Sequence, residues 1–294
     1  MSAESPVVTY RIVHTTQYDY DEAVSVSHHV ARLTPRTLPY QTCDAHELDI
    51  EPGSAVTKTH VDYFGNTMTF FAMQAAHKRL TVRARSTVTM RPARVPHAAG
   101  TPAWETAADR AALPLDAIEC ALEPRAARTS ADVAAYARTS FPAGRPLLEG
   151  VADLTARIHQ DFTYDPKATT VATSSSQVFE SRRGVCQDFA RLEIACLRSL
   201  GVPARYVSGY METVPPPGRP RLIGADASHA WLSVFCPDEG WIDVDPTNNI
   251  FPAGTYVTLA WGRDYIDVSP TRGVILGGGS HSLKVSVDLT RVKP

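Results

Sequence analysis

The sequence predicts an α+β protein with two parts, an N-terminal antiparallel β-sandwich-like domain and a core in which a helix packs on an antiparallel sheet. Three observations lead to this prediction. Up to about residue 90 the chain alternates between apolar and polar positions with the period of two that strands require. A stretch rich in Pro, Ala and Gly interrupts this pattern at 91–102. Helical spacing and further strand patterns follow it.

Strand patterns fill the N-terminal domain, which we predict to span residues 1–100. The first strand places Tyr10, Ile12 and His14 on one side, and "VSVSHHVARL" repeats the alternation. In "HVDYFGNTMTFFAM" the pair Gly65-Asn66 separates two apolar runs, which predicts a hairpin. "RLTVRARSTVTM" continues the period of two. Neighbouring segments of this kind predict an antiparallel sheet or sandwich.

Helices open the second part of the chain, where we predict a core over residues 101–260 and a closing segment over 261–294. One amphipathic helix is predicted by an apolar stripe at spacings of four, three and four, formed by Leu147, Val151, Leu154 and Ile158. Ser and Thr crowd "ATTVATSSSQVF", which predicts a loop followed by a helix N-cap.

The next helix lies in "SRRGVCQDFARLEIACLRSLGVPARYVSGY". Its predicted apolar face contains Cys186, Ala190, Ile194 and Leu197. Gly201 stands where a glycine commonly ends a helix, and Pro203 prevents continuation. Further strands are predicted in "ARYVSGYMETV", "HAWLSVF", "WIDVDPT" and the tail "SLKVSVDLTRV".

Length and composition argue against several classes of protein. The 294 residues are 44% hydrophobic and 20% charged with a net charge of −2, which allows a sizeable core and gives no reason to expect nucleic acid or an anionic membrane as partner. No apolar run approaches the ~20 residues that span a bilayer. The start "MSAESPVVTYRIVHTT" lacks the features of a secretory signal. We therefore expect a soluble, cytoplasmic protein.

The cysteines give a second set of expectations. They are odd in number, widely scattered and without a CxxC pair: Cys43, Cys120, Cys186, Cys196 and Cys236. We therefore expect free thiols, no disulfide framework, no metal site and no cofactor. A single cysteine is more often a buried small apolar residue than a nucleophile.

Cys186 and Cys196 differ in their place on the predicted helix. Cys186 follows Gly184-Val185 at the helix start, where unpaired amides and the positive end of the dipole stabilise a thiolate. The same amides could bind the oxyanion that forms when sulfur attacks a carbonyl. Cys196 lies well inside the helix, so we interpret it as a packing residue.

A nucleophilic thiol needs a base, and among the ten histidines His229 stands out because it opens a strand in the same half of the chain. If "CPDEG" turns the chain so that Phe235 faces Trp241, His229 and Asp245 become diagonal neighbours on one face of the hairpin. Asp243 shares that face one step further away. The spacing alone leaves the choice between catalysis and structure open, because any chain of this length contains these residue types.

These segments resemble the bacterial branch of the transglutaminase-like superfamily of papain-related thiol enzymes. "RRGVCQDFARLEIACLRSLGVPARYVSGY", "DASHAWLSVF" and "GWIDVDPTNN" are similar to its three core segments, in the same order. "YRIVHTTQYDYDEAVSVSHHVARLTPR" resembles the β domain that precedes the core in many bacterial members. The resemblance implies a transglutaminase/papain-like core with Cys186 as nucleophile, His229 as base and Asp245 as acid.

The resemblance also implies a reaction. The thiolate would attack a peptide or glutamine-type amide, release amine or ammonia, and leave a thioester that water or an amine resolves, with hydrolysis slightly favoured. Gln187 stands where the animal cross-linking enzymes have tryptophan, and the chain lacks a carboxylate-rich loop like their calcium sites. Calcium control and protein cross-linking are therefore not expected.

Tyr164, Gln187 and Tyr210 are further candidates for the oxyanion hole or substrate cleft. A buried core position is an equal alternative for Tyr164. The loop "METVPPPGRPRLIGADAS" is expected to shape the cleft. The competing function is a non-catalytic binding or scaffolding protein that docks a protein partner through its N-terminal β domain. The acyl donor, the acceptor and the oligomeric state stay open at this level.

Overall fold

The structure, a computed structural model, describes residues 7–123, 129–170, 172–213 and 227–292. Its strands are β1 (Val8–Ala31), β2 (Gln41–Glu51), β3 (Val56–Val61), β4 (Thr67–Met73), β5 (His77–Met90), β6 (Thr163–Tyr164), β7 (Arg183–Gly184), β8 (Ala204–Met211), β9 (Ala227–Cys236), β10 (Gly240–Val244), β11 (Val257–Gly262), β12 (Thr271–Gly277) and β13 (His281–Arg291). Its α-helices are α1 (Trp104–Ala108), α2 (Leu115–Ala121), α3 (Ala131–Ser140), α4 (Leu147–Asp161), α5 (Ser175–Ser181), α6 (Cys186–Ser199) and α7 (Tyr265–Val268). Short 3₁₀ turns cover Ala98–Gly100 and Arg110–Ala112.

The N-terminal domain contributes five strands, β1 to β5, to a seven-stranded antiparallel sheet, and the antiparallel pairing is as the alternating pattern predicted. Tyr10, Ile12 and His14 are all buried on one face of β1. β1 pairs with β5 and β13 through its first half and with β4 and β12 through its second half. Its register with β5 is interrupted between Asp19 and Val24. β1 therefore pairs with two different sets of strands along its length.

The closing segment of the chain returns to this N-terminal sheet. The predicted last strand is present as β13, and its residues pair with β1 from Tyr10 to Tyr20. β12, which the sequence pattern did not reveal, pairs with the second half of β1. β1 lies near the N-terminal end of the sequence, whereas β12 and β13 lie near the C-terminal end. The core lies between them in the sequence, so this sheet joins strands that precede the core to strands that follow it.

The core contains a four-stranded sheet in the order β10-β9-β8-β11, with α6 packed against β9 and β8. The predicted apolar stripe of α4 is completely buried, since Leu147, Val151, Leu154 and Ile158 are each 0% exposed. α3, α4 and α5 all contact α6. The helix that carries Cys186 is thus held on one side by a sheet and on the other by helices.

The predicted helix ends and hairpins agree with the structure. α6 begins at Cys186, and Gly201 beyond its end has a φ of +81° that favours glycine. The β9–β10 hairpin pairs Phe235 with Trp241, which is the predicted register. Gly65-Asn66 lies in the turn between β3 and β4.

Parts of the fold have weaker sequence signals. β2, β11 and the short helices α1 and α2 were not predicted. β11, α1 and α2 are brief, whereas β2 has 11 residues but its side chains are mostly half-buried or exposed without a clean alternation. Residues 214–226 of the loop expected to shape the cleft lie outside the described residues. In the described part of the chain, no helix is long and apolar enough to cross a bilayer.

Candidate active site

Cys186 is the first residue of α6 and is partly buried. The Asp188 carboxylate accepts hydrogen bonds from the Val185 amide at 2.9 Å and from the Thr169 hydroxyl at 2.5 Å. A Cβ on Gly184 would lie 2.8 Å from the Asp188 Cβ, so glycine lets Asp188 close over the helix start. The first turn of α6, which begins with Cys186, is thereby fixed.

His229 lies on β9, directly across the sheet from Gly209 of β8. Its side chain is 4% exposed. The imidazole stacks on Trp231 at 6.0 Å between ring centroids and meets Tyr256 edge-on at 5.3 Å. These rings hold the imidazole plane in one orientation, which a base in catalysis requires.

Asp245 follows β10 and is completely buried. Its Oδ2 accepts a hydrogen bond from His229 Nε2 at 2.8 Å. Because Nε2 is occupied in this way, Nδ1 is the ring nitrogen left to face Cys186. Asp243, the more distant alternative, instead accepts hydrogen bonds from the hydroxyls of Ser233 and Tyr40.

Electrostatics favour an ion pair at this site. Burial alone would lower the pKa of His229, but its hydrogen bonds and charge interactions with Asp245 and Cys186 raise that pKa to about 9. Burial opposes ionisation of Asp245, yet hydrogen bonds from His229, Asn248 and Tyr256 hold the pKa of this carboxyl below its usual value. At neutral pH the imidazole is therefore protonated beside an ionised carboxylate, and an imidazolium next to a cysteine stabilises its thiolate.

Cys196 has a different environment from Cys186, as its place inside the helix predicted. It is 0% exposed and its sulfur lies 3.9 Å from the Val133 carbonyl oxygen. Burial strongly raises the pKa of the Cys196 thiol. This thiol is therefore a packing residue in the protonated form.

A cleft of about 280 Å³ opens where Cys186 and His229 meet. Both parts of the protein line it. The core contributes residues that include Gln187, Tyr206, Ser208 and Tyr265. The outer strands contribute His14, Thr16 and Tyr18 of β1 with Leu283 and Val285 of β13. The N-terminal domain and the closing segment therefore form part of the candidate active site.

Sequence reasoning missed most of these lining residues, and His14 and Tyr206 are the two whose contacts bear most on the site. His14 was assigned to the β domain alone, yet its ring bonds the Tyr210 hydroxyl at 2.9 Å and the Thr16 hydroxyl at 3.0 Å on the cleft wall. Burial lowers the pKa of His14 to about 4, so it is neutral. No local signal in the sequence joins β1 to the cleft.

Tyr206 is 1% exposed, and its hydroxyl has no hydrogen-bond partner among the described residues. Burial and then the charge of Cys186 raise the pKa of Tyr206 well above its usual value, so the hydroxyl keeps its proton. Strand alternation places Tyr206 and Ser208 on one face of β8. The same alternation, read from "ARYVSGY", is the sequence signal that could have predicted Tyr206 as a cleft residue.

The three secondary candidates have separate outcomes. Gln187 lines the cleft. Tyr164 is 53% exposed on β6 with its ring 6.4 Å from that of Phe189, so it is not a core residue. Within the described chain, Tyr164 does not line the cleft, although the charge of Cys186 contributes, after burial, to raising its pKa.

The interpretation of Tyr210 as a cleft residue has to be corrected. Tyr210 shares a face of β8 with Tyr206 and Ser208 and is 1% exposed like Tyr206, but within the described residues it does not line the cleft. The ring of His14 packs edge-on against it at 5.6 Å and bonds its hydroxyl. β1 therefore covers Tyr210, which supports the cleft wall from behind.

Two family models match this chain in succession. Residues 10–89 match the bacterial transglutaminase-like N-terminal region. Residues 134–246, which include Cys186, His229 and Asp245, match the transglutaminase-like superfamily. The first match covers most of the N-terminal sheet, and the second covers α4 to β10.

Relatives and a solved structure agree with these matches. An uncharacterized protein of Mycobacterium tuberculosis is 43% identical over 289 residues, covering 95% of this chain and 92% of the relative. A protein-glutamine gamma-glutamyltransferase of Pseudomonas aeruginosa is 33% identical over 129 residues, covering 40% of this chain and 19% of that protein. A Cytophaga hutchinsonii crystal structure, provisionally described as a cysteine protease, has a TM-score of 0.78 at 20% identity, covering 99% of this chain and 93% of that one. The chain belongs to the transglutaminase-like superfamily and carries the superfamily's bacterial N-terminal region ahead of its core.

Proposed function

We propose that this protein is a thiol-dependent hydrolase or acyltransferase that acts on amide bonds of peptide or glutamine type. The observation that carries the proposal is the 2.8 Å hydrogen bond between buried His229 and buried Asp245 in the cleft where Cys186 begins α6. The environments of the three side chains support the proposed roles of nucleophile, base and orienting carboxylate.

In the proposed reaction the Cys186 thiolate attacks the amide carbonyl. First-turn amides of α6 stabilise the oxyanion of the tetrahedral intermediate. The His229 imidazolium donates its proton to the departing amine, and a thioester remains on Cys186. Neutral His229 then takes a proton from the acceptor, whose oxygen or nitrogen displaces the Cys186 thiolate and restores the starting ion pair. Asp245 keeps the ring in one tautomer and orientation throughout.

Water is the favoured acceptor because it needs no binding site of its own. Transfer to an amine has support from the Pseudomonas aeruginosa relative, whose name describes a glutamine acyltransferase. An assay with glutamine peptides and simple amides in the presence of hydroxylamine separates the two outcomes. Hydrolysis gives mainly free acid, whereas efficient transfer gives mainly hydroxamate.

The test of the nucleophile is alkylation by iodoacetamide near pH 7, with the modified residue identified by mass spectrometry. We expect Cys186 to react fast, because an ordinary thiol with a pKa of ~8.5 is mostly protonated at that pH. Cys186→Ala should lose both the fast alkylation and the amide turnover. Cys43→Ala is the matched control, since Cys43 is also partly buried and lies far from the site in sequence. Equal alkylation of Cys186 and Cys43 would contradict the proposal and favour a non-catalytic binding protein.

A cytoplasmic location belongs to the same proposal. All five cysteines are free thiols, which suits a reducing compartment. Cell fractionation followed by immunodetection checks this, and recovery outside the cytoplasm would contradict it.

A further inference from the structure

One side of the cleft is built by strands from the two ends of the chain. We define the cleft wall as His14, Thr16 and Tyr18 of β1 with Leu283 and Val285 of β13, all of which line the cleft. Thr16 pairs directly with Val285, and Tyr18 pairs directly with Leu283. Directly opposed residues of antiparallel strands point to the same face, so the wall is one continuous surface.

The cleft wall runs from a buried end to an exposed end. His14 is 1% exposed and is fixed by the hydroxyls of Tyr210 and Thr16. Leu283 is 53% exposed and Val285 is 49% exposed. Aliphatic side chains left open to water beside a nucleophile favour a ligand that covers them.

The cleft wall also carries no charge. Burial lowers the pKa of His14 to about 4, so His14 is neutral at physiological pH. Within the described residues, none that lines the cleft is Asp, Glu, Lys or Arg. Asp19 and Lys284 lie on the opposite face of the same strands by alternation, with their charged atoms 3.8 Å apart. A charged substrate group placed against the wall would lose hydration without gaining a partner.

We propose that the cleft wall is the subsite for the acyl donor, and that it selects an uncharged, apolar side chain next to the amide that Cys186 attacks. This inference deepens the proposed function and rests on it. It gives the N-terminal β domain and the closing strand a role in choosing the substrate.

The test uses reagents that report binding and thiol reactivity separately. Acetyl-alanyl chloromethyl ketones with Phe, Asp or Lys as the second residue alkylate a cysteine, whose sulfur displaces chloride. Iodoacetamide, which has no side chain for the wall to bind, measures the intrinsic reactivity of Cys186. The ratio of the two inactivation rates therefore isolates recognition by the wall. The proteins compared are wild type, Leu283→Asp and the matched control Leu276→Asp, whose leucine is 61% exposed on β12 of the same sheet.

In wild type we expect the Phe reagent to exceed the Asp and Lys reagents by on the order of tenfold after division by the iodoacetamide rate. Leu283→Asp should remove this preference and favour the Lys reagent, whereas Leu276→Asp should match wild type. Leu283→Ser, which adds no charge, should lower the Phe preference and serves if the aspartate variant does not fold. A fast iodoacetamide reaction without side-chain preference, or an unchanged preference in the folded Leu283 variants, would overturn the subsite. A slow iodoacetamide reaction in wild type would instead overturn the proposed function, and the subsite with it.

Discussion

The Asp245 carboxylate both orients the His229 imidazole and organises the loop that follows it. Its Oδ1 accepts hydrogen bonds from the backbone amides of Thr247 and Asn248 at 2.8 and 3.3 Å. Its Oδ2 accepts from His229 at 2.8 Å, from Asn248 Nδ2 at 2.7 Å and from the Tyr256 hydroxyl at 2.8 Å. These donors stabilise the charged form of a buried carboxylate, which then holds His229 in place.

Two buried tyrosines near the site provide a matched pair of substitutions. Tyr256→Phe removes a hydrogen bond to a charged group, so the free energy of unfolding should fall by about 1.5–3 kcal/mol. Tyr206→Phe removes a hydroxyl without a described partner, so stability should stay within ~0.5 kcal/mol of wild type or rise. Urea unfolding measures both. Equal losses in the two variants would show that the Tyr206 hydroxyl has a partner after all.

At the scale of elements, the site depends on how closely β8 approaches its neighbours. Gly209 lies opposite His229, and a Cβ there would be 2.0 Å from the Val257 carbonyl oxygen of β11 and 2.5 Å from the Trp231 ring. Only glycine allows both contacts, because a backbone oxygen cannot rotate away as a side chain can. The ring on which His229 stacks is therefore positioned by the absence of a side chain on β8.

Gly209→Ala should destabilise the protein by about 1–3 kcal/mol through overpacking. It should also slow alkylation of Cys186, since the displaced Trp231 ring would no longer hold His229. Gly100→Ala is the control, because nothing lies within 4 Å of a Cβ at that position. Chemical denaturation and the iodoacetamide rate report the two effects. Wild-type behaviour of Gly209→Ala would show that β11 can move aside freely.

At the scale of the whole molecule, buried ionisable groups in the two parts of the fold change the free energy of unfolding with pH in opposite directions. Burial is the main cause that lowers the pKa of both His14 and His29 in the N-terminal sheet to about 4. In the core the pKa of His229 is raised to about 9, and burial raises that of Glu193 to about 8. An unfolded chain would return all four groups to their ordinary values, so each contributes to the dependence of stability on pH.

We expect the free energy of unfolding to be greatest near pH 6.5. Below that pH the unfolded histidines bind protons that folded His14 and His29 bind only near pH 4, so stability falls as pH falls. Above it, folded His229 and Glu193 retain protons that their unfolded forms have lost, so stability falls as pH rises toward 8–9. Urea titrations between pH 4 and 9 test this. Glu193→Gln should steepen the rise below pH 6.5 and flatten the fall between pH 6.5 and 8, because folded Glu193 keeps its proton from its ordinary pKa of 4.5 up to about 8. A steady rise of wild-type stability up to pH 9 would contradict the assignment.

Much of the fold and the central part of the site follow from local patterns. The apolar stripe of α4, the ends of α6 and the β9–β10 register all depend on spacings of a few residues, which helix and strand periods convert directly into faces. Gly201 marks the end of α6 for a backbone reason that holds in most contexts, its positive φ. Cys186 and the His229–Asp245 pair could be singled out because each depends on one helix terminus or one hairpin.

The sequence by itself therefore determined the helix that begins at Cys186, the hairpin that pairs His229 with Asp245, and the antiparallel character of the N-terminal domain. Only the tertiary structure decided that β1 and β13 line one side of the cleft and that His14 covers Tyr210. It also decided that the Tyr206 hydroxyl has no hydrogen-bond partner among the described residues. Those features arise from pairing between the two ends of the chain. No local period encodes such contacts, because strand pairing over long sequence separations is selected by the burial of the whole assembled sheet.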